Sequence, residues 1–100
     1  SSKLVLGALH LDPMKREVRV NDVLVHLTKR EFDLLHYLLE NKNIVISRET
    51  ILERIWGYDF SGETNAVDVY IRYLRAKIEE PFGLKLLYTV RGVGYVIKDE

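Results

Sequence analysis

The sequence has 100 residues, of which 47% are hydrophobic, enough for one compact core but too few for two ordinary domains. It lacks cysteine, a run of roughly 18 apolar residues that would span a bilayer, and the basic flank and apolar run of a signal peptide. We therefore expect one cytoplasmic domain over residues 1–100, with no disulfide and no membrane contact.

The overall charge gives no sign of a nucleic-acid partner, because 15 basic and 15 acidic side chains leave a net charge of zero. The basic side chains are concentrated in the last third of the chain. There, six basic residues stand against Asp68, Glu79 and Glu80, and they are Arg72, Arg75, Lys77, Lys85, Arg91 and Lys98. A nucleic-acid contact must therefore depend on where these charges lie.

Four short β-segments open the chain, at residues 4–6, 9–11, 17–20 and 23–25. Turn-forming residues separate them, namely Gly7, the pair Asp12-Pro13 and the pair Asn21-Asp22. In the third segment Val18 and Val20 alternate with Arg19, which places the two valines on one face. The pattern predicts a small antiparallel sheet whose apolar face must be covered by helices.

Two helices are predicted next. Thr28 and Glu31 have the spacing of a capping box, and an apolar stripe follows at Phe32, Leu35, Leu38 and Leu39. After a short β-branched link at 44–46, Ser47 caps a second helix that Gly57 ends. The apolar face of this second helix consists of Ile51, Leu52, Ile55 and Trp56.

A third helix is predicted after residues 57–64, which contain two glycines, show no periodicity and indicate a loop. Asn65 caps this helix, and Asp68 places a negative charge in its first turn. Pro81, supported by Gly83, ends it. Its buried face is predicted to consist of Val67, Ile71, Leu74 and Ile78.

The chain closes with a predicted β-hairpin. Strands at 86–90 and 95–97 flank the turn Arg91-Gly92-Val93-Gly94-Tyr95. Its two glycines have two alternative explanations. A hairpin turn needs residues with positive φ angles, and a residue without a side chain lets the backbone approach a partner closely. A cation such as Arg91 at the tip of a narrow hairpin suits insertion into the minor groove of DNA.

The outer face of the third helix is a candidate reader of DNA. It mixes cations, aromatic rings and small side chains, at Asn65, Ala66, Val69, Tyr70, Arg72, Tyr73, Ala76 and Lys77. Such a face fits the major groove, where Val69 and Tyr73 meet base edges or methyl groups and cations reach phosphates. The alternative is a helix face that is merely solvated.

Four blocks of the sequence, in order, resemble the DNA-binding effector domain of OmpR/PhoB-type response regulators. They are LTKREFDLLHYLL at 27–39, SRETILERIWG at 47–57, NAVDVYIRYLRAKI at 65–78 and YTVRGVGYVI at 88–97. The resemblance extends from Leu4 to Ile97. It implies an α+β fold, a winged helix-turn-helix with an N-terminal four-stranded antiparallel sheet, three helices and a C-terminal β-hairpin wing.

The resemblance also implies the DNA contacts. In the recognition helix, residues 65–80, the contacts are Val69, Arg72, Tyr73 and Arg75. In the wing, residues 88–97, they are Thr89, Arg91 and Tyr95. Arg48 and Trp56 contact phosphates. Two alternatives stay open, an intramolecular ion pair for Arg75 and a mainly core role for Trp56. Tyr73 and Asn65 stand where relatives commonly carry basic residues, so the preferred base cannot be copied from a relative.

The implied partners reach beyond DNA. The loop at 57–64, with Tyr58, Asp59 and Phe60, resembles the segment that contacts RNA polymerase, although these aromatic rings are equally able to fold back on the core. The resemblance further implies that a receiver domain and a sensor kinase belong to the full-length protein. It also implies that phosphorylation, as part of a phosphorelay, drives dimerisation on tandem half-sites.

Two other classes of function compete with DNA binding. An enzyme is disfavoured because His10, His26 and His36 are scattered and form no recognisable catalytic or metal motif. We expect no catalytic residue, no cofactor and no metal. A winged helix that binds only protein is the stronger rival, since the net charge is zero.

Overall fold

The computed structural model describes residues 3–57 and 65–99, so the predicted loop with Tyr58, Asp59 and Phe60 lies outside the described residues. The elements are β1 (Leu4–Leu6), β2 (Leu9–Asp12), β3 (Glu17–Val20), β4 (Val23–Val25), α1 (Lys29–Glu40), β5 (Ile46–Ser47), α2 (Arg48–Trp56), α3 (Asn65–Leu74), β6 (Leu87–Val90) and β7 (Gly94–Ile97). The predicted α+β winged helix is confirmed, with the N-terminal sheet, three helices and the C-terminal hairpin in the expected order.

The N-terminal sheet is an antiparallel meander in the order β1-β2-β3-β4. Its inner face is fully buried and consists of Leu6, Leu9, Leu11, Val18 and Val20. Arg19 is exposed on the outer face, as the alternation predicted. Asn21 and Asp22 both have positive φ angles, 52° and 67°, which is the geometry of a tight hairpin turn between β3 and β4.

The capping box at the start of α1 is present. The Thr28 hydroxyl accepts a hydrogen bond from the Glu31 N–H at 3.2 Å, and the Glu31 carboxylate accepts one from the Thr28 N–H at 2.9 Å. The helix buries an apolar stripe and ends at Asn41. That stripe, which covers the sheet, consists of Phe32, Leu34, Leu35, Leu38 and Leu39.

The short strand β5 was not predicted. Ile46 pairs with Tyr95 and Ser47 with Gly94, so the C-terminal sheet has three strands in the order β5-β7-β6. Ser47 also caps α2 by accepting a hydrogen bond from the Thr50 N–H at 3.1 Å. The segment predicted as a link thus ties the start of α2 to the wing.

The recognition helix changes its winding along its length. It is α-helical to Leu74, π-helical over Arg75–Glu79 and 3₁₀ over Glu80–Phe82, and it ends at Gly83 with a φ of 65°. Asn65, predicted as the cap, is itself helical. Pro81 does not end the helix, because its missing N–H is harmless in the first turn of the new 3₁₀ segment. The predicted buried face, Val67, Ile71, Leu74 and Ile78, is confirmed.

The wing turn has three residues and not the predicted five. Val90 pairs with Gly94, and the Val93 N–H donates to the Val90 carbonyl at 3.0 Å, so Gly94 and Tyr95 belong to β7. Gly92 provides the positive φ, 74°, that the turn needs. A Cβ on Gly94 would lie 1.9 Å from the Ile46 carbonyl oxygen. Gly94 is therefore required for the approach of β5.

We expect Gly94→Ala to lower the free energy of unfolding by about 3 kcal/mol, because the new methyl group forces β5 away from β7. Gly7→Ala is the control, since it adds the same methyl group at another glycine, but there the methyl group would meet no atom within 4 Å and would carry only the strain of a φ of 59°. It should cost about 1 kcal/mol. Urea unfolding measures both, and equal losses would contradict the close approach of β5 to β7.

Candidate nucleic-acid interface

The outward face of α3 carries one cation, one aromatic ring and small side chains. Its exposed residues are Asn65, Arg72, Tyr73 and Ala76, with Val69 half-buried beside them. Tyr73 exposes 45% of its surface. Within residues 3–57 and 65–99, the guanidinium of Arg72 has no ion pair and no hydrogen bond. This cation is available to a partner.

The wing turn presents a second available cation. Arg91, Gly92 and Val93 are all exposed, and Val93 exposes 50% of its surface. In the part of the chain that the structure describes, the Arg91 side chain also has no ion pair or hydrogen bond. The turn therefore projects a positive charge beside an apolar side chain.

Arg75 and Glu79 fasten the recognition helix to β6. The Arg75 guanidinium donates from Nη2 to the Leu87 carbonyl at 3.1 Å and to the Thr89 hydroxyl at 3.0 Å. The Glu79 carboxylate, only 6% exposed, accepts from the N–H groups of Leu86 and Leu87, each at 2.6 Å. Arg75 Nε lies 4.0 Å from Glu79 Oε1, so the ion pair considered for Arg75 is present.

Both available cations lie close in sequence to this fastening. Arg72 lies three residues before Arg75 on the helix, and Arg91, the first residue of the wing turn, lies two residues beyond Thr89. Three helical residues rise about 4.5 Å and two extended residues about 6.6 Å. The backbones of both cations are thus within a few residues of the hydrogen bond between Arg75 and Thr89. We give the name α3–wing surface to the exposed residues Asn65, Arg72, Tyr73, Ala76 and Arg91 together with the half-buried Val69.

Asp68 joins α3 to α2 and to β7. Its Oδ1 accepts a hydrogen bond from Arg48 Nε at 2.8 Å and another from the Tyr95 hydroxyl. Burial raises the pKa of Asp68, but the hydrogen bonds from Tyr95 and Arg48 outweigh burial and leave the pKa below its usual value. Burial and the neighbouring carboxylate raise the pKa of Tyr95, which keeps its hydroxyl a donor.

Tyr95 is thereby placed differently from the exposed wing contact that the sequence led us to expect. Its side chain is 4% exposed, because β7 is covered on both sides. Arg48 is half-buried, and its Nε is already bonded to Asp68. Thr89 is exposed, as a contact residue must be, although its hydroxyl accepts from Arg75.

Lys77 is half-buried and reaches the N-terminus of α1. Its Nζ lies 2.7 Å from Glu31 Oε1, and Glu31 is 3% exposed. Burial raises the pKa of Glu31, but hydrogen bonds from Lys77 and the Thr28 N–H hold that pKa below its usual value. Lys77, predicted on the reading face, is thus the partner of a buried carboxylate.

Trp56 is half-buried and packs against the hydrophobic core, in line with the core role considered for it. Its ring meets that of Tyr70 edge to face, and the ring of Tyr70 meets that of Tyr73 in the same way. The Arg30 guanidinium lies 5.0 Å from the centre of the Trp56 ring. Tyr70, predicted on the outer face without a role of its own, thus connects Trp56 to Tyr73.

The N-termini of α1 and α2 are candidate phosphate sites. The capping box uses the backbone N–H groups of Thr28 and Glu31. The backbone N–H groups of Lys29 and Arg30, in the first turn, have no partner within the helix. Ser47 occupies only the Thr50 N–H of α2 through its side chain. Both helix ends therefore keep the backbone donors that bind anions.

Two residues that hold the surface together, Glu79 and Asp68, were missed as such by sequence reasoning. The spacing of four between Arg75 and Glu79 is a signal for their ion pair. The bonds from Glu79 to the β6 backbone and from Asp68 to Tyr95 join residues far apart in sequence, and no local pattern reveals them.

The structure also bears on metal sites and membrane spans. Over the described ranges, no three His, Cys, Asp or Glu side chains come together as a metal site. None of the helices described is long and apolar enough to cross a membrane.

Residues 21–97 match the family described as "Transcriptional regulatory protein, C terminal". The chain is 54% identical over 98 residues to the transcriptional regulatory protein PrrA of Mycobacterium leprae, covering 98% of this chain and 42% of PrrA. In structure it is similar to the response regulator DrrB, a Thermotoga maritima OmpR/PhoB homolog, with a TM-score of 0.88, 31% identity, and coverage of 98% of this chain and 45% of DrrB.

The chain is also similar to the Klebsiella pneumoniae RstA DNA-binding domain in complex with the RstA box. The TM-score is 0.87, the identity is 28%, and 98% of each chain is covered. In contrast, the chain spans less than half the length of PrrA and of DrrB.

Acid should destabilise the domain through Asp68. Because the pKa of Asp68 is lowered in the folded state, its stabilising contribution is present above the unfolded pKa, about 3.9, and is lost as the pH falls through the folded pKa. We expect Asp68→Asn to be less stable than the wild type at pH 7, with the difference shrinking below about pH 4.

The control for this measurement is Glu53→Gln, which removes an exposed carboxylate that lies beyond the first turn of α2. It should follow the wild-type dependence of unfolding free energy on pH. A constant difference between Asp68→Asn and the wild type across the acid range would contradict the assignment.

Proposed function

The chain belongs to the OmpR/PhoB family of C-terminal DNA-binding domains of transcriptional regulators, and on this premise we propose that α3 enters the major groove of its duplex while the wing turn enters the adjacent minor groove. Val69 and Tyr73 then face base edges or methyl groups, and Arg72 contacts a base or a phosphate. Arg91 enters the narrow minor groove, where the potential is most negative.

One observation carries this proposal, namely how the cations of the last third of the chain are used. Arg75 and Lys77 form ion pairs with Glu79 and Glu31, and Lys85 and Lys98 lie over the ring of Tyr88. In the described part of the chain only Arg72 and Arg91 of these six lack a partner and are exposed. They lie on the α3–wing surface, and the hydrogen bond between Arg75 and Thr89 joins the two elements that carry them.

The remaining predicted site residues support this surface in two ways. Arg75, Lys77, Tyr95 and Trp56 are engaged inside the domain, and we assign them positioning roles. Arg48 keeps its terminal Nη groups, and Thr89 keeps its hydroxyl hydrogen, as donors to phosphates. The free amides at the N-termini of α1 and α2 serve the same purpose.

Arg72→Ala and Arg91→Ala should each weaken binding to a selected duplex by about 1–3 kcal/mol while the midpoint of thermal unfolding stays nearly unchanged. The duplex is obtained by selection from a random-sequence library with the wild-type chain. Lys85→Ala is the matched control, because Lys85 lies at the end of β6 away from the wing turn. It removes the same charge and should leave affinity unchanged.

The salt dependence of the wild-type affinity tests the function as a whole. The logarithm of affinity should fall with the logarithm of salt concentration, with a slope that reflects several phosphates, and the slope should decrease by about one if Arg72 contacts a phosphate. A flat response, or the absence of any duplex from the selection, would favour a winged helix that binds protein.

The proposal extends to the longer protein. We propose that the chain is the output domain of a two-component response regulator, that a receiver domain phosphorylated by a sensor kinase controls it, and that two copies bind tandem half-sites. The likeness to the response regulator DrrB, of which the chain covers 45%, supports this role. We also propose that the loop at 57–64 contacts RNA polymerase through Tyr58, Asp59 and Phe60, as the family resemblance implies.

The loop proposal predicts a separation of two activities. Replacing Tyr58 and Phe60 together by Ala should leave duplex affinity unchanged and weaken the binding of purified RNA polymerase to the domain–duplex complex. Ser61→Ala, in the same loop, is the control and should change neither. Unaltered polymerase binding by the double variant would refute this role for the loop.

A further inference from the structure

Three aromatic rings form a row that runs from the core to the α3–wing surface. The ring centres of Trp56 and Tyr70 are 5.2 Å apart at an angle of 82°, and those of Tyr70 and Tyr73 are 5.4 Å apart at 66°. Both contacts are edge to face, the geometry that aromatic pairs prefer. The row begins beside the Arg30 guanidinium, on α1, and ends at Tyr73.

The exposure of these rings changes along the row. Trp56 and Tyr70 are half-buried and pack against the hydrophobic core, whereas Tyr73 is exposed. The inner rings are therefore fixed by packing, and the contact with Tyr70 limits the positions that the Tyr73 ring can adopt. An outward ring that is already ordered loses little side-chain freedom when it meets a partner.

Tyr73 also lies in an apolar strip of the reading face. Val69 and Tyr73 are four residues apart within α3, so they share one row along the helix, and the exposed Ala76 follows in the next turn. Arg72 lies beside this row. In the major groove, the C5-methyl group of thymine is the apolar feature that such side chains contact.

We propose that Tyr73 is a specificity-determining residue that reads a thymine methyl group with its ring, and that Tyr70 and Trp56 are its positioning residues. This inference rests on the proposed function, because it requires α3 in the major groove. It assigns base preference to the ring of Tyr73 and not to its hydroxyl.

The direct test removes only the methyl group. Each thymine of the selected duplex is replaced in turn by uracil, and binding of the 100-residue chain is measured. At one thymine of the half-site we expect about a fourfold loss of affinity, the effect of withdrawing one buried methyl group. Tyr73→Phe should keep this loss, and Tyr73→Ala should bind both duplexes equally.

The positioning role needs a separate readout. Tyr70→Leu keeps an apolar side chain but removes the ring that holds Tyr73, so the ratio of affinities for the thymine and uracil duplexes should fall toward one. Tyr70→Phe keeps the ring contact and should restore the wild-type ratio. Urea unfolding of each variant verifies that the domain remains folded, because a change in stability alone does not alter this ratio.

The outcomes separate this inference from the proposed function. If the wild type binds the duplex with a steep salt dependence but no thymine is sensitive, the inference is overturned and the function stands. If sensitivity survives in Tyr73→Ala, another side chain reads the methyl group. If Tyr73→Ala binds too weakly for the two duplexes to be compared, the comparison is repeated at lower salt concentration. If Tyr73→Ala binds neither duplex there, the assignment of the thymine methyl contact to Tyr73 is also overturned. If no duplex is bound, both proposals fail.

Discussion

A buried carboxylate determines how the two reading elements stand relative to each other. Glu79 accepts two backbone hydrogen bonds from the start of β6, and Arg75, one turn earlier, donates to the same strand. A carboxylate with so little exposure requires these partners, because an uncompensated buried charge is strongly destabilising. The helix that faces solvent with Arg72 and Tyr73 is thus bonded by its next turn to the strand that leads into Arg91.

The use of charge explains how a domain with zero net charge fits a DNA-binding family. Most of its basic side chains in the last third neutralise buried carboxylates or lie on aromatic rings, where they hold elements in place. Few cations of this part of the chain remain to contact phosphates, so its electrostatic attraction to a duplex of any sequence is limited. In the proposed complex, the apolar strip of α3 and the two available arginines must supply the preference for a particular sequence.

The parts of the fold that depend on local chemistry were predictable from the sequence. The capping box of Thr28 and Glu31 and the periodic burial of Val67, Ile71 and Leu74 follow from neighbouring residues alone. The pairing of Ile46 with Tyr95 was not predictable, because it joins distant segments. Arg72 and Arg75 both belong to the recognition helix, and the sequence suggested an ion pair for Arg75 but not its hydrogen bonds to β6. Only the position of β6 makes one of them available and the other a structural bond.

The pairing of β5 with β7, made possible by Gly94, has a consequence for the shape of the DNA. Since β5 continues directly into α2, the wing is hydrogen-bonded to the helical part of the domain and does not swing as a separate arm. This pairing restrains the distance between the wing and the outward face of α3. In the proposed complex, a duplex whose minor groove lies at another distance from its major groove must bend or twist to fit, and the energy of that deformation becomes part of the recognition.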